Sequence, residues 1–111
     1  MSDKIIQTVC SKWRVLYSDV VGNCRKQPLP FIRMTIAYFL RQYTTLSLMQ
    51  IGSLLHRKHC TVIYYLKAYE SEFRFNEEFR NFAKRIEEDL QDIIKSSFVL
   101  ELEEEFNEIR G

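Results

Sequence analysis

Residues 47–69 read SLMQIGSLLHRKHCTVIYYLKAY, and the fold of the chain turns on how they are interpreted. Ser47 can cap a helix, and Gln50, three residues on, can reach back to complete a capping box. The helix so begun carries Leu48, Ile51 and Leu55 on one stripe, with Gly52 allowing close approach of a neighbouring backbone. His56-Arg57-Lys58-His59 follow, polar and basic, and then a second apolar stripe at Val62, Leu66, Tyr69 and Phe73. Spacings of four, three and four place that second set on one helix face. A short helix, a tight polar turn and a longer helix opening with basic and small polar residues spell a helix-turn-helix. In that motif the start of the second helix points into the DNA major groove.

Local propensity pulls the other way within one segment. Cys60 to Leu66 (CTVIYYL) is rich in β-branched and aromatic residues and taken alone would be a strand. The run does not alternate apolar and polar residues. The basic cluster before it and the four-residue spacing that continues to Phe73 favour a helix.

The same residues resemble a known family. Ile51-Gly52, Leu55, and then Arg57-Lys58-His59-Cys60-Thr61-Val62-Ile63 look like the signature of the DNA-binding C-terminal domain of the bacterial replication initiator DnaA. The family pattern runs Ile-Gly, two residues, an apolar residue, then Arg-Asp-His-Thr-Thr-Val. Arg57, His59, Thr61 and Val62 match it; Lys58 stands in place of Asp and Cys60 in place of the first Thr. Arg33 to Leu48 resembles the helix preceding the motif, and Ile5 to Lys26 the opening helices and basic loop. The likeness covers roughly residues 4–75, and it settles the 60–66 segment as helix. It implies an all-α bundle of the DnaA C-terminal or Trp-repressor type. The ATPase module that precedes this domain in DnaA is expected to be absent.

Charge supports the likeness from an independent direction. The net charge is +1, but residues 1–75 hold 11 Lys/Arg against 4 Asp/Glu, while residues 76–111 hold 5 against 11. A basic front containing the motif and an acidic rear suit a polyanion-binding domain (1–75) carrying an acidic helical extension (76–111) packed on or beside it. The alternative is that each part simply has its own solvated charges. A length of 111 residues allows one modest core, and 3 Gly with 2 Pro leave little turn chemistry for a large sheet. Three widely spaced cysteines, Cys10, Cys24 and Cys60, read as reduced cytosolic thiols rather than a disulfide framework. No signal peptide or membrane span is visible, since the apolar stretch Phe31–Leu40 is short and contains Arg33.

Outward from the motif, Asp3 can cap a first helix with Ile5, Ile6, Val9 and Trp13 on its apolar side. Trp13 suits the core better than a base-stacking platform. Ser18-Asp19 can start a short helix ended by Gly22-Asn23, and CRKQPLP (24–30) is a loop because two prolines break helix and strand alike. A third helix runs from about Pro30 to Tyr43. Asn76 can cap a long amphipathic helix bearing Phe79, Phe82, Ala83, Ile86, Leu90, Ile93 and Ile94. Ser96-Ser97 can break it and cap a last segment with Phe98, Leu102, Phe106 and Ile109 on one side and Glu103-Glu104-Glu105 solvated.

The chemistry points to binding. His56, His59 and Cys60 crowd together, but their spacing fits no closed four-ligand metal set. No nucleophile–base arrangement or glycine-rich phosphate loop is present, so neither an enzyme nor a cofactor is expected. By the resemblance, Lys58, His59, Cys60 and Thr61 would contact bases of double-stranded DNA. Arg57, Arg25, Lys26 and Arg33 would contact phosphates or the minor groove. For each loop cation the alternative is an ordinary solvated side chain. The family's minor-groove Arg falls on Phe31, so Arg25, Lys26 or Arg33 could only substitute for it. Expected roles are replication control or transcriptional regulation, in a bacterial cytoplasm or nucleoid. A second reading is a protein-interaction module, self-associating or docking a partner through residues 76–111.

Overall fold

Ile32 to Ala37 are buried without interruption, so the helix that carries them is enclosed on every side. That helix is the centre of the molecule. The computed structural model describes the backbone of residues 2–110 and the side chains of residues 2–95. Among these residues six helices occur in order: α1 Ser2–Trp13, α2 Tyr17–Val21, α3 Leu29–Tyr43, α4 Leu48–Leu55, α5 His59–Phe75 and α6 Glu77–Arg110. The arrangement is all-α, as the sequence predicts. Helix α3 packs against α5 and α1 and also touches α4 and α2; α6 closes the bundle against α5 and α1.

Ile5, Val9, Ile32, Ile36, Phe39, Leu40, Ile51, Leu55 and Val62 are fully buried in one cluster. Each large side chain there contributes about 1.5–3 kcal/mol by leaving water. Thr35, buried in the middle of α3, is satisfied by donating its hydroxyl to the Phe31 carbonyl at 2.7 Å. Burial of a hydroxyl is tolerable only with such a partner.

Helix α6 belongs to the same cluster. Phe79, Ala83, Ile86 and Leu90, spaced by four, three and four, are all buried. Phe79 meets Phe31 at 5.3 Å between ring centroids and Tyr69 at 5.4 Å, and Phe82 lies 4.4 Å from Trp13. Trp13 is therefore a packing residue. Asn76 breaks the chain between α5 and α6, its side-chain oxygen accepting from the Phe79 amide at 3.1 Å. A surface ion pair, Lys12 to Asp89, also joins α1 to α6.

Several details differ from expectation. Helix α1 is already under way at Ser2, so Asp3 sits in its first turn, where a negative charge suits the dipole, rather than capping it. Helix α2 starts at Tyr17 after Leu16, with no side-chain cap. Helix α6 continues through Ser96-Ser97. Two serines cost a helix less than about 0.7 kcal/mol each relative to alanine and cannot break it alone. The stripe foreseen at Phe98, Leu102, Phe106 and Ile109, and the run Glu103–Glu105, lie outside the residues whose side chains are described. On α5 the buried residues are Val62, Tyr65 and Tyr69, with Leu66 and Phe73 only half-buried. Among the described residues no helix is long and apolar enough to cross a membrane.

Candidate nucleic-acid interface

The turn between α4 and α5 is built by main-chain hydrogen bonds. Helix α4 opens with both halves of the capping box: the Gln50 amide donates to Ser47 Oγ at 3.2 Å, and the Ser47 amide to Gln50 Oε1 at 2.8 Å. It closes with His56 in the left-handed region, φ 55° and ψ 44°. The Arg57 amide donates back to the Gly52 carbonyl at 2.8 Å and the His56 amide to Ser53 at 3.3 Å. These are the two bonds of a Schellman motif. Arg14 ends α1 the same way, with φ 55° and bonds from Val15 to Cys10 and Arg14 to Ser11.

Gly52 is required by this geometry. A Cβ built there would lie 2.5 Å from the Arg57 carbonyl oxygen, a backbone atom that cannot swing aside. The glycine lets the chain fold back on α4 and start α5 at once.

Helix α5 then begins with Lys58 as its N-cap, extended at φ −75° and ψ 157°, with no side-chain capping bond. The Thr61 and Val62 amides use the Lys58 carbonyl. Lys58, His59 and Cys60 are exposed and Thr61 is half-buried. The structure thus brings the four residues foreseen as base contacts together on the first turn of α5. Thr8, Thr35 and Thr44 each donate to a carbonyl four residues back, but among the described residues Thr61 forms no such bond. Cys60 Sγ lies 3.6 Å from His59 Nε2. Farther along the helix, Tyr64 is 65% exposed and Lys67 is exposed. Both follow Cys60 at helical spacing, a signal that the helical reading of the run already carries.

The expected phosphate contacts separate into two kinds. Arg25 and Lys26 are exposed on the loop before α3. Arg33 is not available to DNA: it is 3% exposed, donating Nε to the Val20 carbonyl at 2.7 Å and Nη2 to Gly22 at 3.0 Å. Burial, and then the neighbouring Arg57 charge, lower its guanidinium from the ordinary arginine value. Arg33 is therefore an internal residue, correcting the expectation that it touches phosphate or the minor groove. Arg57 is half-buried; its guanidinium donates to the carbonyls of Val21, Leu55, His56 and Gly22. It holds the turn against α2 whatever else it touches. Phe31, at the position of the family's minor-groove Arg, packs against Phe79.

A capped short helix, a Schellman turn and a longer helix with an exposed polar first turn define a helix-turn-helix domain of the DNA-binding class. The model of the bacterial dnaA protein helix-turn-helix family matches residues 2–68, and the chain belongs to that family. Its relatives include the chromosomal replication initiator protein DnaA of Microcystis aeruginosa, 39% identical over 61 residues, 54% of this chain and 14% of that protein. The DnaA of Thermomicrobium roseum is 32% identical over 77 residues, 68% of this chain and 17% of the relative. That of Mycoplasma pneumoniae is 33% identical over 94 residues, 83% of this chain and 18% of the relative. The chain thus spans less than a fifth of the length of these curated relatives.

Proposed function

We propose that this domain binds duplex DNA with sequence preference, placing the first turn of α5 in the major groove. The observation that carries the reading is the exposed group Lys58, His59 and Cys60, with Thr61 beside it, presented by a turn that main-chain bonds hold fixed. Lys58 offers a cation suited to guanine O6 and N7, His59 a ring donor or acceptor, and Thr61 a hydroxyl and a methyl suited to thymine. Arg25 and Lys26 contact flanking phosphates, Arg57 contributes charge at the turn, and Tyr64 and Lys67 extend the DNA-facing surface. The reading includes no ATPase activity of these 111 residues, which contain no glycine-rich phosphate loop. The role it supports is replication control, as the relatives' name suggests, or transcriptional regulation at related sites.

A gel-shift assay against random duplex pools at two salt concentrations tests the binding itself. Binding that weakens steeply with salt is expected, with a log–log slope near −0.9 per phosphate contact. No shift at low salt would contradict the proposal and leave acidic α6 as the better guide to function.

A further inference from the structure

We propose that Arg33 is a positioning residue for DNA binding: with Arg57 it clamps the end of α2, fixing where the basic loop 23–27 leaves the helix-turn-helix. This rests on the reading of Arg25 and Lys26 as phosphate contacts. The carbonyls of Val20, Val21 and Gly22 lie at the C-terminal end of α2, where helical partners run out and the dipole leaves partial negative charge. Arg33 reaches them from α3, donating to Val20 and Gly22; Arg57 reaches them from the turn, donating to Val21 and Gly22. The Gly22 carbonyl accepts from both guanidinium groups.

Neither arginine forms an ion pair among the described residues. Burying an unpaired guanidinium is expensive, and an apolar side chain of similar length would fill the same space at lower cost. What the arginine provides is a directional grip on two carbonyls. Beyond Gly22 every residue from Asn23 to Pro28 is exposed, so this segment has little packing of its own. The carbonyl just before it, that of Gly22, is tied both to the central helix through Arg33 and to the turn that launches α5 through Arg57. The clamp therefore sets the spacing between the loop cations and the reading face. A protein that must match two points on one duplex needs that spacing fixed.

A double-mutant cycle on the full chain tests this, using Arg33→Met, the loop variant Arg25→Ala/Lys26→Ala, and their combination. Affinity for a random-sequence duplex is measured across a salt series. The loop variant is expected to flatten the log–log slope by about 2 and weaken binding roughly ten-fold. Arg33→Met should reproduce much of that loss alone and add nothing in the loop-variant background. Equal losses in both backgrounds would make Arg33 merely structural and overturn the proposal. A loop variant that binds like the parent would instead refute the phosphate reading beneath it.

Arg33→Lys covers failure of Arg33→Met to fold, because one ammonium cannot span both carbonyls in the same way. Faster amide exchange across residues 22–27 is expected, with α3 amides still protected. Unchanged exchange there would count against the clamp.

Discussion

Between Gly52 and Arg57 the chain is held by main-chain bonds, a left-handed residue and a guanidinium on four carbonyls, whereas the side chains of the next residues, Lys58 to Cys60, are exposed and make no bond to the rest of the domain among the described residues. These neighbours divide the family signature between them. Of the matching residues, Ile51, Gly52, Leu55 and Val62 are buried, Arg57 and Thr61 are half-buried, and His59 is exposed. The two departures, Lys58 and Cys60, are exposed where α5 begins. A motif can therefore keep its architecture under strict packing constraints while its exposed residues change with little effect on the fold. If that division is right, stability and DNA affinity respond to different substitutions.

The largest effect should come from Gly52→Ala. Its Cβ would collide with the Arg57 carbonyl at 2.5 Å, so the turn must open. A loss of about 1–3 kcal/mol in denaturant unfolding is expected, typical of overpacking against rigid backbone. A change within experimental error would show that the turn is looser than the geometry implies.

On the reading side, Thr61→Ala should weaken binding to the preferred duplex by about 1–3 kcal/mol. Its unfolding free energy should move by no more than about 0.5 kcal/mol, as for other substitutions away from the packed core. A variant that lost stability and affinity in parallel would erase the distinction between the two regions.

His56→Gly is a smaller probe, aimed at the turn alone. A left-handed conformation burdens any residue with a Cβ, so glycine should stabilise the protein by about 0.5–1 kcal/mol, seen as a higher unfolding midpoint. DNA affinity should stay unchanged; a clear loss would place the His56 side chain at the interface. The smallest effect is expected from removing residues 97–111, which carry five glutamates and one arginine. Affinity should be equal or slightly higher once that negative charge is gone. A large loss in a still-folded truncation would show that the acidic end helps to build the DNA-binding species.

The legibility of these features in the sequence follows from their range. Capping boxes and helix stripes are local, so Ser47 with Gln50, and Phe79 through Leu90, could be read from residues a turn apart. The bounds of α3 were legible to within one residue, since the prolines mark its start. Arg33 was not legible as an internal residue, because its acceptors lie 11 and 13 positions earlier and are carbonyls, which carry no side-chain signature. A charged residue inside the apolar run 31–40 was the available signal, and it favours a functional reading as readily as a buried one. The choice of Tyr65 over Leu66 on the buried side of α5 was equally hidden. Both fit a helical stripe, and only the direction of approach of α3 and α6 distinguishes them.

The central claim is that the exposed opening of α5 reads base sequence, and Lys58 tests it most directly. Its lysine is a donor-only cation where the family pattern has an acceptor carboxylate, and it makes no capping bond that a substitution would disturb. Selection from a random duplex library should be run in parallel with the parent protein and Lys58→Asp. The account predicts two enriched sites that differ at one base pair, guanine for lysine and cytosine for aspartate at the position each faces. The same site from both proteins, or no enrichment from either, would contradict it.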